Sequence, residues 1–202
     1  MNYIERGCSS ITAMSTETKL GDDRIISIKG LITSETADAF AEQVLILNRQ
    51  STEDPVTVLI NSAGGSVPQG LMMYDVIQGS VAPIRLVCKG EAYSMAAILL
   101  ASGNPEHGRY ILPNSRVMIH EPLVRGGVEG KSVSIKSISD SLIETRRKLN
   151  GILARHTGHT IEEIDEATSY DHYFTAEEAV AYGLCDRVIG FGSLINGMEP
   201  CR

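Results

Sequence analysis

Three times in its first hundred residues the chain repeats one pattern: a β-branched apolar run closed by glycine, then an amphipathic segment at helical spacing. Arg24-Ile25-Ile26-Ser27-Ile28 closes at Gly30, and Thr33-Ser34-Glu35-Thr36 then supplies helix-start chemistry for Ala37, Phe40, Val44 and Leu47. Val56-Thr57-Val58-Leu59-Ile60 runs into Asn61-Ser62-Ala63-Gly64-Gly65, followed by a helix carrying Leu71, Met72, Tyr74 and Ile77. Ile84-Arg85-Leu86-Val87-Cys88 stops at Gly90, and a third helix opens near Ser94 with Met95-Ala96-Ala97-Ile98-Leu99-Leu100. Strand and helix in alternation require right-handed crossovers between parallel strands, so the pattern predicts an α/β layered domain.

Two shorter strands are expected at Arg109-Tyr110-Ile111-Leu112 and Val117-Met118-Ile119-His120. A glycine-punctuated segment, Gly126 to Gly130, leads into a long helix from Ser132 to His156, with Ile135, Ile138, Leu142, Leu149 and Ile152 on one stripe. Such a helix, placed after the sheet is complete, reads as an extension whose apolar face needs a partner. Residues 1–20, rich in Ser and Thr, read as an arm or loop outside the core. There is no internal repeat and no second domain. At 202 residues the chain can bury roughly 70% of its unfolded surface without a metal or disulfide staple. A net charge of −7 and a pI near 5.2 argue against nucleic-acid binding, which needs a basic face. No apolar run is long enough for a membrane span, and the first residues lack a signal peptide's apolar core. Cys8, Cys88, Cys185 and Cys201 show no zinc spacing, so a reducing, cytoplasmic setting is expected.

Chemistry concentrates where strands end. Gly64-Gly65 reads either as a glycine loop offering backbone N–H groups to an anion or as a turn that needs positive φ. Neither GxGxxG nor GxxxxGK[ST] is present, so phosphate binding has weak support. Ser94 reads as a helix cap or as a nucleophile beside free helix N–H groups. It does not sit in GxSxG. A serine nucleophile needs a base, and the base an orienting carboxylate. Of five histidines, His120 ends an apolar strand and is best placed to face a cleft; His107, His156, His159 and His172 lie in loops or at helix ends. With Asp171, which could equally be a loop or cap residue, Ser94 and His120 make one plausible triad among several.

Several stretches then resemble the ClpP family, the serine peptidase subunits of the Clp machines. They are Ile60-Asn61-Ser62-Ala63-Gly64-Gly65-Ser66-Val67, Gly90-Glu91-Ala92-Tyr93-Ser94-Met95, and Leu112-Pro113-Asn114-Ser115-Arg116-Val117-Met118-Ile119-His120-Glu121-Pro122-Leu123. Further matches are His156-Thr157-Gly158, Asp171 with Phe174, Ala176-Glu177-Glu178-Ala179 and Tyr182-Gly183-Leu184. The resemblance implies a ClpP/crotonase-type layered spiral of β-β-α units with a protruding handle helix. It divides the chain into an axial arm (1–20), a head (21–125 and 157–193), a handle strand and helix (126–156) and a tail (194–202). It assigns Ser94 as nucleophile, His120 as general base and Asp171 as its orienting carboxylate, with the backbone N–H groups of Gly65 and Met95 as oxyanion hole. Val67, Gly126 and Gly127 would bind an extended peptide by β-augmentation.

By the same resemblance the chain is a serine endopeptidase (endopeptidase Clp) in protein quality control, with no cofactor or metal of its own. ATP would be used only by a partner, an AAA+ unfoldase such as ClpX, ClpA or ClpC. Heptameric rings would stack into a tetradecamer, with a paralogous ClpP subunit as a further partner and unfolded polypeptides as substrates, and with neither nucleic acid nor membrane. The sequence departs from the family pattern at Tyr93, bulky where a small residue is usual and expected to narrow the site, and at Ala63, where Pro is frequent. Ser169 and Tyr170 replace an acidic–basic pair, and Thr57, Gly79 and Lys89 fall where an outer docking pocket is usually apolar. Two other readings compete: a latent, mainly structural ring subunit, and an acyl-CoA enzyme of the crotonase type that needs no triad.

Overall fold

The computed structural model of the chain describes residues 2–6, 11–123 and 132–194. The start of the chain is more regular than the arm or loop expected over residues 1–20. β1 (Asn2–Arg6) and β2 (Ile11–Ser15) pair antiparallel as a sheet of their own, and α1 (Thr16–Asp22) follows. Ser15 caps α1 by accepting from Thr18 N at 3.0 Å. The strands are short and polar enough to hide their alternation among serines and threonines. No residue of α1 is buried.

Among the described residues the main sheet has seven strands. β3 (Ile25–Ile32), β4 (Val56–Gly65) and β5 (Ile84–Tyr93) run parallel, joined through α2 (Ser34–Gln50) and α3 (Val67–Gly79). α4 (Met95–Ala101) then leads to β6 (Arg109–Ile111) and β7 (Arg116–Ile119). After α5 (Ser132–Thr157) and α6 (Ile161–Ala167) come β8 (His172–Phe174), α7 (Ala176–Ala181) and β9 (Arg187–Val188). Every pairing in this sheet is parallel except β7 with β8. The fold is thus the mixed α/β, mostly parallel architecture that the alternation predicts.

The expected stops at Gly30 and Gly90 are corrected: β3 continues to Ile32, and β5 continues to Tyr93 and bends, while β4 ends at Gly65 as expected. Register slips between Ile60 and Ser62, where one β4 residue, Asn61, lies opposite three of β5, Lys89 to Glu91, as in a bulge. The bend splits the partners of β5. Residues 86–88 pair with β6, and 91–93 pair with β7. Gly90 permits it, because φ is +132° and a Cβ there would meet Asn61 Oδ1 at 2.4 Å. Freed backbone groups find side chains: Gly90 N donates to Ser115 Oγ at 2.7 Å and Glu91 N to Asn61 Oδ1 at 3.2 Å.

Both faces of the sheet are covered. Val58, Ile60, Leu86 and Cys88 point into the main core with α4, every residue of which is buried. Leu59 and Val87 alternate onto the other face, where Ile189 covers them. Buried Arg109 ties the sheet to its helices. It pairs with Asp186 (Nη2–Oδ1 2.6 Å) and its Nη1 donates to the carbonyls of Ala101, His156 and Gly183, each at 3.0 Å. The α5 stripe divides: Leu149 and Ile152 enter the core, Leu142 is half-buried, and Ile138 is exposed. The Ile135 side chain lies outside the described residues.

Candidate active site

The bend in β5 determines the site, because it carries the end of the strand away from β6 and onto β7. Ser94 sits at the turn between β5 and α4 with φ +54° and ψ −122°, one of two described non-glycine residues at positive φ. Its N–H donates to Met118 O at 2.8 Å, fixing the turn against β7. The cap reading of Ser94 does not hold, since its side chain makes no capping bond to α4. Its Oγ lies instead 2.8 Å from His120 Nε2. A strained non-glycine φ at a strand-to-helix turn is the kind of cost that surrounding structure must hold in place.

His120 directly follows β7 and Asp171 directly precedes β8. Antiparallel pairing sets Ile119 opposite His172, which brings the residues next to them together. His120 Nδ1 is 3.1 Å from Asp171 Oδ1, with the His120 side chain 15% exposed and the Asp171 side chain 58% exposed. Of the five histidines, only His120 is bonded to Ser94. His156 meets Tyr74 Oη through Nε2 at 3.1 Å, and His159 meets Glu163 at 3.2 Å. Burial, with Arg109 and Arg155 nearby, lowers the His156 pKa.

The glycine pair packs on the Ser94 turn. A Cβ on Gly64 (φ +85°) would meet Tyr93 O at 2.6 Å, Ser94 Cβ at 2.9 Å and Met95 N at 3.0 Å. One on Gly65 would meet Ile32 O at 2.3 Å. Met95 opens α4, so its N–H has no intrahelical acceptor. A cleft of about 810 Å³ joins these parts, with Gly65, Val67, Tyr93, Ser94, His120 and Asp171 among its lining residues. Gly126 and Gly127 lie outside the described residues. Tyr93 lines this cleft beside Ser94 and stands edge-on to Tyr173, ring centroids 5.7 Å apart.

Sequence reasoning missed other lining residues: Leu31, Met118, Leu123, Leu142 and Thr145. Met118 stands two residues before His120, a strand spacing that puts both on one side of the chain and could have flagged it. α6 and α7 were also missed, although Thr160 with Glu163 and Thr175 with Glu178 form capping boxes that the pattern [ST]-x-x-E announces. Cys88 and Cys185 are buried, and burial pushes both thiols up to about 12, so they lack the thiolate character of a nucleophile. Among the described residues no group of three His, Cys, Asp or Glu side chains is arranged to hold a metal, and no helix is long and apolar enough to cross a membrane.

This is an arrangement in which a hydroxyl on a strained turn can hand its proton to an imidazole, next to glycine backbone and an open cleft. Over residues 9–191 the chain matches the family model described as Clp protease, and it belongs to the Clp protease family. It is therefore a peptidase of the ClpP type.

Proposed function

We propose that the chain is a serine endopeptidase in which Ser94 is the nucleophile, His120 the general base and Asp171 the carboxylate that orients it. The observation that carries this reading is the continuous contact from Ser94 Oγ to His120 Nε2 (2.8 Å) and from His120 Nδ1 to Asp171 Oδ1 (3.1 Å). Asp171 accepts from Nδ1–H, which leaves the Nε2 lone pair facing Ser94. Ser94 Oγ attacks a peptide carbonyl as its proton moves to Nε2. The tetrahedral oxyanion forms against the N–H groups of Gly65 and Met95. Nε2–H protonates the departing amine, leaving an acyl-enzyme, and a water activated by the same imidazole releases the acid. No cofactor or metal enters these steps.

At the scale of the assembly, the reading extends to stacked heptameric rings in the cytoplasm, fed with unfolded polypeptide by an AAA+ unfoldase that alone uses ATP. The exposed start of α5, with Ile138 and Ile143 facing solvent, supports a partner on that helix. Hydrolysis of a short fluorogenic peptide, run beside sedimentation velocity, tests both levels. Ser94→Ala is expected to abolish turnover and fluorophosphonate labelling while leaving the particle's size unchanged. Full activity in that variant overturns the assignment. Labelling without turnover, in a particle of single rings, would favour the latent ring subunit.

A further inference from the structure

His120 and Asp171 stand at the ends of two short strands, and burial does not hold the Asp171 carboxylate, which is 58% exposed. Its position depends on what fixes the backbone around it. On one side that is the β7–β8 ladder. On the other, Glu121 N donates to Thr168 O at 2.7 Å, tying the residue after His120 to a turn three residues before Asp171. Thr168 is fully buried, and its hydroxyl donates to Ile164 O at 2.8 Å.

The same hydroxyl accepts from Asn150 Nδ2 on α5 at 3.2 Å, and Nδ2 also donates to Asp165 Oδ1 at 2.5 Å. Asn150 is 1% exposed, and both N–H groups of its amide are spent on this turn. One helical turn earlier, Arg146 bridges the same two segments. Its Nη1 is 3.4 Å from Glu121 Oε2 and its Nη2 donates to Asp165 O at 3.4 Å. A buried amide that merely satisfies a helix contact needs none of this. Here every bond of the amide ends on the segment that leads to Asp171.

We infer that Asn150, backed by Arg146, is a positioning residue for hydrolysis: it holds the Thr168 turn and so keeps the Asp171 carboxylate against His120. The inference rests on the peptidase reading above. A small displacement of an orienting group is costly, because the imidazole must meet the serine in one geometry.

The test compares Asn150→Asp, Asp165→Asn, the double exchange and Arg146→Met in the full chain. Turnover of a short fluorogenic peptide is counted per Ser94 titrated with a fluorophosphonate, so that misfolded chains drop out. Asn150→Asp sets two carboxylates face to face and is expected to lower kcat per titrated site by about 10- to 100-fold with KM unchanged. The double exchange restores a donor opposite an acceptor and is expected to recover most of that loss. Arg146→Met, at a half-exposed position, is expected to lower kcat less but in the same way. Wild-type kcat per site in Asn150→Asp overturns the inference, as does a loss confined to KM or to the titratable fraction. If the unaltered chain labels at Ser94 without turning over peptide, the labelling rate replaces kcat and is read the same way. If it does not label at Ser94, the peptidase reading fails, and the inference with it.

Discussion

Gly65 shows how little tolerance the site has at the level of one residue. A methyl group there would sit 2.3 Å from the Ile32 carbonyl oxygen and 2.7 Å from its nitrogen, both backbone atoms that cannot turn aside. Gly65→Ala is therefore expected to push β4 off β3 and carry the Gly65 N–H out of place. If Gly65 N–H is the oxyanion donor proposed above, its loss costs about 10²- to 10³-fold in kcat, and a fall of that order per titrated Ser94 is expected. Gly79 is the control, since nothing lies within 4 Å of its Cβ position, at the end of α3. Gly79→Ala should leave kcat unchanged; equal losses at both positions would show that the effect is not steric. Ser94 and the glycine pair were legible in the sequence because each sits where an apolar run stops. Tyr93 was legible as a bulky residue beside Ser94, but its partner Tyr173 was not, because that contact joins residues eighty apart in the chain.

Among the elements, the ends of α4, α5 and the α7–β9 turn converge on one buried cation. Arg109 reaches the carbonyls of Ala101, His156 and Gly183 and pairs with Asp186, whose side chain is 22% exposed. Removing one partner of a buried pair leaves an uncompensated charge, which costs about 3–5 kcal/mol. Asp186→Ala is expected to lower unfolding stability by that order in urea titration, with the m-value unchanged. A change below about 1 kcal/mol, the range of an exposed pair, would mean that the three carbonyls suffice without the carboxylate. The strand and helix preferences of these elements were readable from their periodicity. Their convergence was not, because an arginine in a short strand looks like a solvent-facing residue until its neighbours in space are known.

For the whole molecule, buried titratable groups bracket the pH range of highest stability. The Cys88 and Cys185 thiols are raised by burial from 9.0 to about 12, and burial raises Tyr182 as well. The unfolded chain loses these protons first, so stability is full below about pH 9 and falls as pH climbs from 9 towards 12. His156 acts in the opposite sense. Its folded pKa lies below 6.5, so the unfolded chain binds the proton more readily and stability falls as pH drops below that value. Urea midpoints measured from pH 5 to pH 11 are expected to form a plateau between these limits. A midpoint that does not fall between pH 9 and 11, or a fall that survives in Cys88→Ala and Cys185→Ala, would rule out the thiols as its cause.

The sequence by itself determined the local order of this protein: strand then helix, three times over, then a long amphipathic helix. It also marked Ser94, His120 and Gly65 as ends of regular structure. Those features depend on periods of two and 3.6 residues and on the backbone freedom of glycine, all of which act within a few positions. The tertiary structure decided the rest. That β5 bends at Gly90 and exchanges β6 for β7, and that β8 returns antiparallel to set Asp171 beside His120, depends on pairing between segments far apart in the chain. Spacing along the chain carries no record of such pairing, because register is fixed by which buried faces meet once the layers pack.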